Sequence, residues 1–155
     1  YKFYFLLRGV KDTCYEEGYY IGEIVIPNDY PMNSGNFKLY TPTGRFTTVT
    51  KICLDCSANR EESWSFVWNI KNMIDCLISI FLTENTLCLS HIKETSQERI
   101  IKAQNSVNYN RSNHEEIFKK FDQFVKSDGG LKTENEIKEF IEQSKVRKIH
   151  AEENK

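Results

Sequence analysis

The sequence has no excess of charge of either sign and no repetitive composition. Its 155 residues include 21 Lys and Arg against 22 Asp and Glu, which gives a net charge of −1 and no overall basic field. Nucleic acid is therefore not an expected partner. With 7 Gly and 3 Pro there is no low-complexity tract, while hydrophobic residues, at 39%, are enough to bury a core. We expect one folded domain with a helical appendage.

The sequence also lacks a membrane span and a recognisable signal peptide. Its longest apolar stretch, residues 67–82, is shorter than the ~20 residues that a spanning helix needs. It also contains Lys71 and Asp75. We therefore expect the chain as given to be soluble. Its first residues, YKFYFLLRG, read as the middle of a sheet, so we expect a further element before them.

The cysteines do not form a disulfide pattern, because their number is odd and their spacing irregular. They lie at positions 14, 53, 56, 76 and 88. This favours a reducing compartment. A zinc site needs four ligands, but the chain has one Cys-x-x-Cys pair and three histidines far downstream without ligand-like spacing. We expect neither a bound metal nor a cofactor.

Short aromatic and aliphatic runs in the first third of the chain predict strands. They are YKFYFLLRG, YYIGEIVIP and FKLYT, and turn-forming segments separate them. The short connections favour an antiparallel meander. From residue 67 the apolar residues follow a helical period instead, which predicts a core helix at 67–83. Its predicted buried face consists of Val67, Ile70, Ile74, Leu77, Ile78 and Phe81.

Capping residues predict further helices. Thr95 with Glu98 forms a capping box before a helix that should run to about Asn108, and Asn113 can cap the next helix. The apolar face of that next helix would be Ile117, Phe118, Phe121, Phe124 and Val125. Thr133 with Glu136 begins a last, charged helix. The order predicts an α+β fold: an antiparallel meander sheet of about four strands packed on a core helix, with additional C-terminal helices.

The pair of Cys53 and Cys56 allows several interpretations. Cys-x-x-Cys can be half of a metal site, a redox dithiol, or one nucleophile with a bystander. Two unremarkable loop thiols are the simplest alternative. The segment after Cys56, SANREES, is polar, and no parallel βαβ pattern surrounds it, which weakens the redox interpretation.

Several motifs around this pair follow one another in a specific order: FYFLLRGVKDTCYEEGYYIGEIVIP, YTPTGRF, KICL, and Trp64 ten residues after Leu54. The series resembles the catalytic domain of ubiquitin-conjugating enzymes, most of all the tail-anchored branch associated with degradation at the endoplasmic reticulum. That branch has Thr-Pro-Asn-Gly-Arg-Phe and Arg-Leu-Cys-Leu at the second and third motifs. The resemblance implies an N-terminally incomplete catalytic domain at 1–126, lacking the family's N-terminal helix, and a charged helical extension at 127–155.

By this resemblance, Cys53 is the nucleophile that accepts the C-terminal carboxyl of ubiquitin as a thioester. It then passes ubiquitin to a substrate lysine with the help of a ligase. A thiolate suits this role because it is both a good nucleophile and a good leaving group. The implied partners are ubiquitin, the ubiquitin-activating enzyme and a ubiquitin ligase. Cys56 matches no catalytic position of the family.

Three residues are implied to support the active site. Thr43 stands where the family has an Asn that supports the oxyanion step, and a hydroxyl offers one donor where an amide offers two. Thr43 can equally serve only the turn, since TPTG fits a type I turn with Pro42 second and Gly44 fourth. Asp55 and Glu62 can orient the incoming amine, or they are solvated loop charges.

The family meets its ligases through two loops, which here correspond to YPMNSG and WSFVW. The resemblance therefore implies partner-binding roles for Met32, Asn33, Trp64 and Phe66, although both loops differ from the family's pattern. The branch also carries a C-terminal membrane anchor, which is absent from this chain. The implied location is the cytosolic face of the endoplasmic reticulum, with membrane contact only through such an anchor.

Two rival functions stay open on the sequence alone. A catalytically weak or inactive ubiquitin-conjugating-like binding module is suggested by Thr43 and by the altered loops, whereas the retained Cys53 argues against it. A redox protein that uses Cys53 and Cys56 is the more distant alternative.

Overall fold

The structure is a computed structural model that describes residues 1–33, 35–53, 69–83 and 90–153. The chain divides into two compact units, Tyr1–Asn113 and His114–Lys155. The domain boundary predicted at residue 126 stays a prediction. Among the residues that the structure describes, no helix is both long and apolar enough to cross a membrane.

The first unit contains a four-stranded antiparallel sheet. Its strands are β1 (Lys2–Arg8), β2 (Tyr19–Val25), β3 (Asn36–Leu39) and β4 (Ile52–Cys53). They are hydrogen-bonded in the order β1-β2-β3-β4, so the predicted meander is confirmed. The register pairs Leu6 with Ile21, Gly22 with Leu39, and Phe37 with Ile52.

Helix α1 (Ile70–Leu82) packs its apolar residues into the same core as the sheet. Its N-cap is Asn69, whose side-chain oxygen accepts the amide hydrogen of Asn72 at 3.0 Å. The predicted start at residue 67 lies outside the described residues. The predicted buried face is partly wrong, because Ile70 is 42% exposed. The buried residues are Met73, Leu77, Ile80 and Phe81. The polar residues Lys71, Asn72, Asp75 and Ser79 are all exposed, so the helical period indicates the buried side, and contact with the sheet decides which apolar residues of that side are buried.

Helix α2 (Ser96–Asn113) begins with the predicted capping box. The amide of Thr95 donates to the Glu98 carboxylate at 2.8 Å, and the amide of Glu98 donates to the Thr95 hydroxyl at 3.3 Å. The predicted end at about Asn108 is wrong by a turn. The buried face of α2 is mostly polar, and it consists of Arg99, Ala103, Ser106 and Asn110. The helical period of apolar residues therefore does not reveal the buried face of α2.

The second unit differs from its prediction. Asn113 ends α2 instead of capping the next helix, and its side chain donates to the Tyr109 carbonyl at 3.0 Å. Helix α3 (Glu115–Phe118) is short and continues as a 3₁₀ turn (Lys119–Phe121). The predicted helix through residue 125 is therefore wrong. Val125 instead pairs with Leu131 in an isolated β-bridge.

Helix α4 (Glu134–Glu153) has the predicted capping box at its start. The Glu136 carboxylate accepts the amide hydrogen of Thr133 at 2.7 Å and forms an ion pair with Lys126 at 3.0 Å. The backbone hydrogen bond, together with Lys126, lowers the pKa of Glu136 to about 2. This carboxylate therefore stays charged at any ordinary pH and complements the helix N-terminus.

The sheet carries one buried carboxylate, Glu23 in β2. It accepts a hydrogen bond from the Tyr40 hydroxyl at 2.7 Å and lies 2.9 Å from the Lys2 ammonium and 3.3 Å from that of Lys38. Burial by itself would raise the pKa of Glu23, but these three partners hold it below its ordinary value. The cluster ties β1, β2 and β3 together across one face.

Candidate active site

Cys53 is the second residue of β4, and its backbone is paired with Asn36 at the start of β3. The preceding residue, Ile52, is fully buried and pairs with Phe37. The core therefore fixes the backbone that leads into Cys53. The other predicted residues of this region, Cys56, Asp55, Glu62, Trp64 and Phe66, lie outside the described residues, and their roles stay predictions.

The turn Thr41–Gly44 leaves the opposite end of β3. The hydroxyl of Thr43 accepts the amide hydrogens of Arg45 at 3.0 Å and Phe46 at 3.1 Å, and the side chain is fully buried. A hydroxyl that bonds backbone amides two and three residues ahead closes the chain on itself. The turn is thus held by its own third residue.

Gly44 is required by both conformation and space. Its φ of +73° lies in the left-handed region that disfavours other residues. A Cβ here would also come within 2.7 Å of the Arg99 side chain and of the Glu94 carboxylate. Any larger residue would push α2 and the turn apart.

Arg45 anchors the turn to the end of α1. Its side chain is fully buried, and its guanidinium donates to the carbonyls of Ile80, at 3.4 Å, and Thr83. Carbonyls at a helix C-terminus carry partial negative charge, which a cation stabilises. The same guanidinium also contacts Nε2 of His91, which must accept because guanidinium only donates.

Arg99 of α2 holds the turn from the other side. Its Nε donates to the Gly44 carbonyl at 3.2 Å, and its guanidinium lies 5.7 Å from the centre of the Tyr15 ring. Beyond the turn, the ring of Phe46 packs against Phe81 with centroids 5.2 Å apart. Two buried arginines and one core aromatic therefore fix this loop.

Thr41, the first residue of the turn, is also fully buried. Its hydroxyl accepts the amide hydrogen of Ile21 at 2.9 Å and donates to Oδ1 of Asn110 at 2.6 Å. Nδ2 of Asn110 donates in turn to the Tyr19 carbonyl at 2.8 Å. The turn is thereby tied to β2 and to α2 through buried polar contacts.

Sequence reasoning missed two residues of this framework, Arg99 and Asn110. Thr41 and Arg45 lie in the motif YTPTGRF, but their burial and their partners were not predicted. A signal existed for Arg99 and Asn110. Arg99 and Asn110 lie on a stripe with Ala103 and Ser106 at spacings of four, three and four, which is the helical period. The stripe was overlooked because it is polar and amphipathicity is ordinarily sought among apolar residues.

A sequence model described as "Ubiquitin-conjugating enzyme" matches residues 1–120 of the chain. The chain belongs to the ubiquitin-conjugating enzyme family. The match covers all four strands and helices α1 to α3, and thus both the β4 cysteine and the buried turn. The predicted fold class and the predicted family are confirmed.

Curated relatives of the family share the same part of the chain. The chain is 31% identical over 112 residues to "Ubiquitin-conjugating enzyme E2 J2-like" of Dictyostelium discoideum, covering 72% of this chain and 65% of the relative. It is 39% identical over 95 residues to "Ubiquitin-conjugating enzyme E2 32" of Arabidopsis thaliana, covering 61% and 31%. It is 31% identical over 109 residues to human "Ubiquitin-conjugating enzyme E2 J1", covering 70% and 34%. The chain thus matches from about a third to two thirds of these relatives' lengths.

Of the four residues predicted to contact a ligase, Met32, Asn33, Trp64 and Phe66, the structure describes the first two. Met32 is 68% exposed, and Asn33 donates through its side-chain amide to the carboxylate of Asp29 at 2.5 Å. The bond between Tyr30 and Pro31 is cis. Met32 is therefore free to contact a partner, whereas Asn33 is engaged within its own loop.

The segment between the turn and Cys53 contains a strained residue. Val49 has a φ of +60°, and its amide donates to the carbonyl of Leu39 at 2.7 Å. A β-branched residue in the left-handed region is a conformational outlier. The hydrogen bond to the end of β3 holds the chain in this conformation three residues before β4.

Proposed function

We propose that this chain carries ubiquitin as a thioester on Cys53 and transfers it to a substrate lysine together with a ubiquitin ligase. The observation that carries the proposal is the position of Cys53 in β4, where its backbone pairs with the first residue of β3, in a chain that matches the family over residues 1–120. A cysteine thioester keeps the ubiquitin carboxyl activated for attack by an amine.

The transfer step requires a nucleophile, an acceptor for its proton and a stabilised oxyanion. The lysine nitrogen attacks the thioester carbonyl, the C–N bond forms, and the C–S bond then breaks to release the Cys53 thiolate. The amine must also lose a proton, which passes to water or to the departing thiolate, and Asp55 and Glu62 are our candidates for orienting the amine. The tetrahedral intermediate between these events carries the negative charge that hydrogen-bond donors stabilise.

Thr43 serves the turn rather than the oxyanion in this proposal. Its hydroxyl is buried and accepts two backbone amides, so its role in packing is satisfied without contact to a substrate. Asn is of similar size, and its side-chain oxygen can accept the same amides. We therefore expect Thr43→Asn to discharge ubiquitin to free lysine at a rate within about 3-fold of the parent's rate. If the parent lacked an oxyanion donor that Asn supplies, the substitution would instead raise the discharge rate by roughly 10²–10³-fold.

The main test is formation of a thiol-sensitive adduct. The full-length protein is incubated with activating enzyme, ATP and ubiquitin, beside a control conjugating enzyme that charges under the same conditions. We expect an adduct that reducing agent removes, that Cys53→Ser abolishes and that Cys56→Ser retains. Absence of an adduct while the control is charged would contradict the enzymatic proposal.

The alternative is a ubiquitin-conjugating-like binding module without transfer activity. The observation that favours it is Thr43 at the position where the family has Asn. It predicts that ubiquitin or a ligase binds the parent and Cys53→Ser equally well, and that no adduct forms on either. An adduct that is lost in Cys53→Ser but kept in Cys56→Ser would also argue against a redox dithiol, which needs both cysteines.

Partners and location extend the same proposal. We propose that Met32, Asn33, Trp64 and Phe66 contribute to ligase binding, with the exposed Met32 as the first residue to test. Met32→Asp should weaken ligase-dependent transfer and leave charging by the activating enzyme unchanged. We further propose that the protein works at the cytosolic face of the endoplasmic reticulum, which localisation of the tagged full-length protein would test.

A further inference from the structure

Two side chains of α2 bond to the backbone of one residue in β2. The hydroxyl of Ser106 accepts the amide hydrogen of Tyr19 at 2.9 Å, and Nδ2 of Asn110 donates to the carbonyl of the same residue at 2.8 Å. Ser106 and Asn110 are four residues apart, so they lie on the same face of the helix, and both are buried. The two residues therefore contribute similarly to docking α2 on the sheet.

The two side chains differ in where their second hydrogen bond goes. The hydroxyl of Ser106 donates to the Ala103 carbonyl at 2.6 Å, within its own helix. Oδ1 of Asn110 accepts instead from the hydroxyl of Thr41 at 2.6 Å, 69 residues away in sequence. Asn110 therefore reaches the turn, whereas the bonds of Ser106 join only α2 and β2.

The contact at Thr41 lies at one end of β3, and Cys53 is paired with the other end of the same strand. Thr41 follows β3 directly and lies two residues before Thr43, while Asn36, at the other end of β3, is the backbone partner of Cys53. The Thr41 hydroxyl also accepts the amide hydrogen of Ile21 in β2. A loss of the Asn110 acceptor would leave a buried hydroxyl without its partner and release the start of the turn.

We propose that Asn110 is a positioning residue for ubiquitin transfer: through the Thr41 hydroxyl it fixes the turn Thr41–Gly44 relative to the strand that holds Cys53. This inference rests on the proposed function. Displacement of groups near a reaction centre by about 1 Å can cost about 100-fold in rate, even when the mutated residue is remote from the chemistry. Asn110 itself contacts neither ubiquitin nor the reacting atoms in this role.

The test compares Asn110→Ala with Ser106→Ala in the full-length protein. Both truncate a buried residue of α2 to alanine and remove a hydrogen bond to Tyr19, so Ser106→Ala is a matched control for loss of stability. After charging and removal of ATP, the rate of thioester discharge to free lysine is measured beside the unfolding free energy. We expect discharge to fall at least about 10-fold in Asn110→Ala and to stay within about 2-fold in Ser106→Ala.

A second pair of variants tests the same contact from the turn. Thr41→Val removes the hydroxyl at nearly constant shape, and Thr41→Ser retains it. We expect Thr41→Val to reproduce the defect of Asn110→Ala, and Thr41→Ser to restore discharge to within about 2-fold of the parent. This pair decides the question if Asn110→Ala does not fold.

Amide hydrogen exchange separates a failure of this inference from a failure of the proposed function. The amides of Arg45 and Phe46 bond to Thr43, so their exchange reports the turn without any need for ubiquitin. Exchange at both amides should rise at least about 10-fold in Asn110→Ala and not in Ser106→Ala. If the parent does not charge, the proposed function fails, and exchange alone decides whether Asn110 positions the turn. The proposal would be overturned if Asn110→Ala and Ser106→Ala changed the amide exchange rates equally. If the parent charges, equal changes in the rate of thioester discharge would also overturn it.

Discussion

Replacing Thr43 by valine should destabilise the first unit more than the loss of a single hydroxyl suggests. Valine has the shape of threonine, so the packing changes little, but the acceptor of two buried amides is lost. Those amides belong to Arg45 and Phe46, which lie 3.0 and 3.1 Å from the hydroxyl oxygen. A buried donor without a partner costs ~1–3 kcal/mol, so two of them cost ~2–6 kcal/mol, and we expect about 3 kcal/mol after local relaxation. Such a loss lowers the melting temperature by about 6–12 °C in a protein of this size.

Urea unfolding followed by tryptophan fluorescence is a suitable assay, since both tryptophans, Trp64 and Trp68, fall within the residue range of the first unit. Thr43→Ser is the control, because it keeps the hydroxyl and loses one buried methyl group, worth ~1 kcal/mol. If Thr43→Val were as stable as Thr43→Ser, the two amides would not depend on this hydroxyl. The structural explanation of Thr43 would then be refuted, and a role in the chemistry would gain weight.

Four other predictions follow from backbone strain and from charge. Val49→Gly should raise the unfolding free energy by about 1 kcal/mol, because glycine adopts a φ of +60° without strain, whereas Thr50→Gly should lower it; equal effects in urea unfolding would contradict this. The Glu136 carboxyl should titrate near pH 2 when it is followed by carbon NMR. Its contribution to the unfolding free energy should be complete above its ordinary pKa of 4.5 and should disappear as the pH falls through about 2. Lys126→Met should raise that pKa only in part, since the backbone hydrogen bond from residue 133 persists; a return to the ordinary value would show that the ion pair alone causes the shift. The folded-state pKa of Glu23 is depressed, so its charged form stabilises the parent above the ordinary carboxyl pKa, and this stabilisation is lost as the pH falls. Glu23→Gln should therefore lower the unfolding free energy at neutral pH and make it depend less on pH in the acid range. An unchanged acid-unfolding profile would argue against the cluster.

The candidate site could be predicted from the sequence only where a motif is local. The turn at Thr41–Gly44 and the cysteine at position 53 are visible as short runs of letters, and the structure places both beside β3. The partners that hold the turn are not visible in this way. Asn110 is 69 residues from Thr41, and Arg99 is 55 residues from Gly44. Contacts at such separations exist only once the sheet and helices have packed.

The sequence by itself determined the order of strands before helices and most of the elements of the first unit. Period-two and helical patterns, turn residues and capping boxes act over a few residues, so they specify strands, helix starts and the α+β class without knowledge of the rest of the chain. The same local signals failed at helix ends. Asn113 has the chemistry of an N-cap, but it is the last residue of α2, and its side chain bonds to the Tyr109 carbonyl of the same helix.

Only the tertiary structure decided which surfaces are buried and what the buried polar residues do. The apolar pattern of helix α1 includes both Ile70 and Leu77, but packing on the sheet buries Met73 and Leu77 and leaves Ile70 exposed. The buried face of α2 is polar because each polar side chain finds a partner in the turn or in β2. A buried polar group is stable only when its partner is in place, and that condition depends on the whole fold rather than on neighbouring residues.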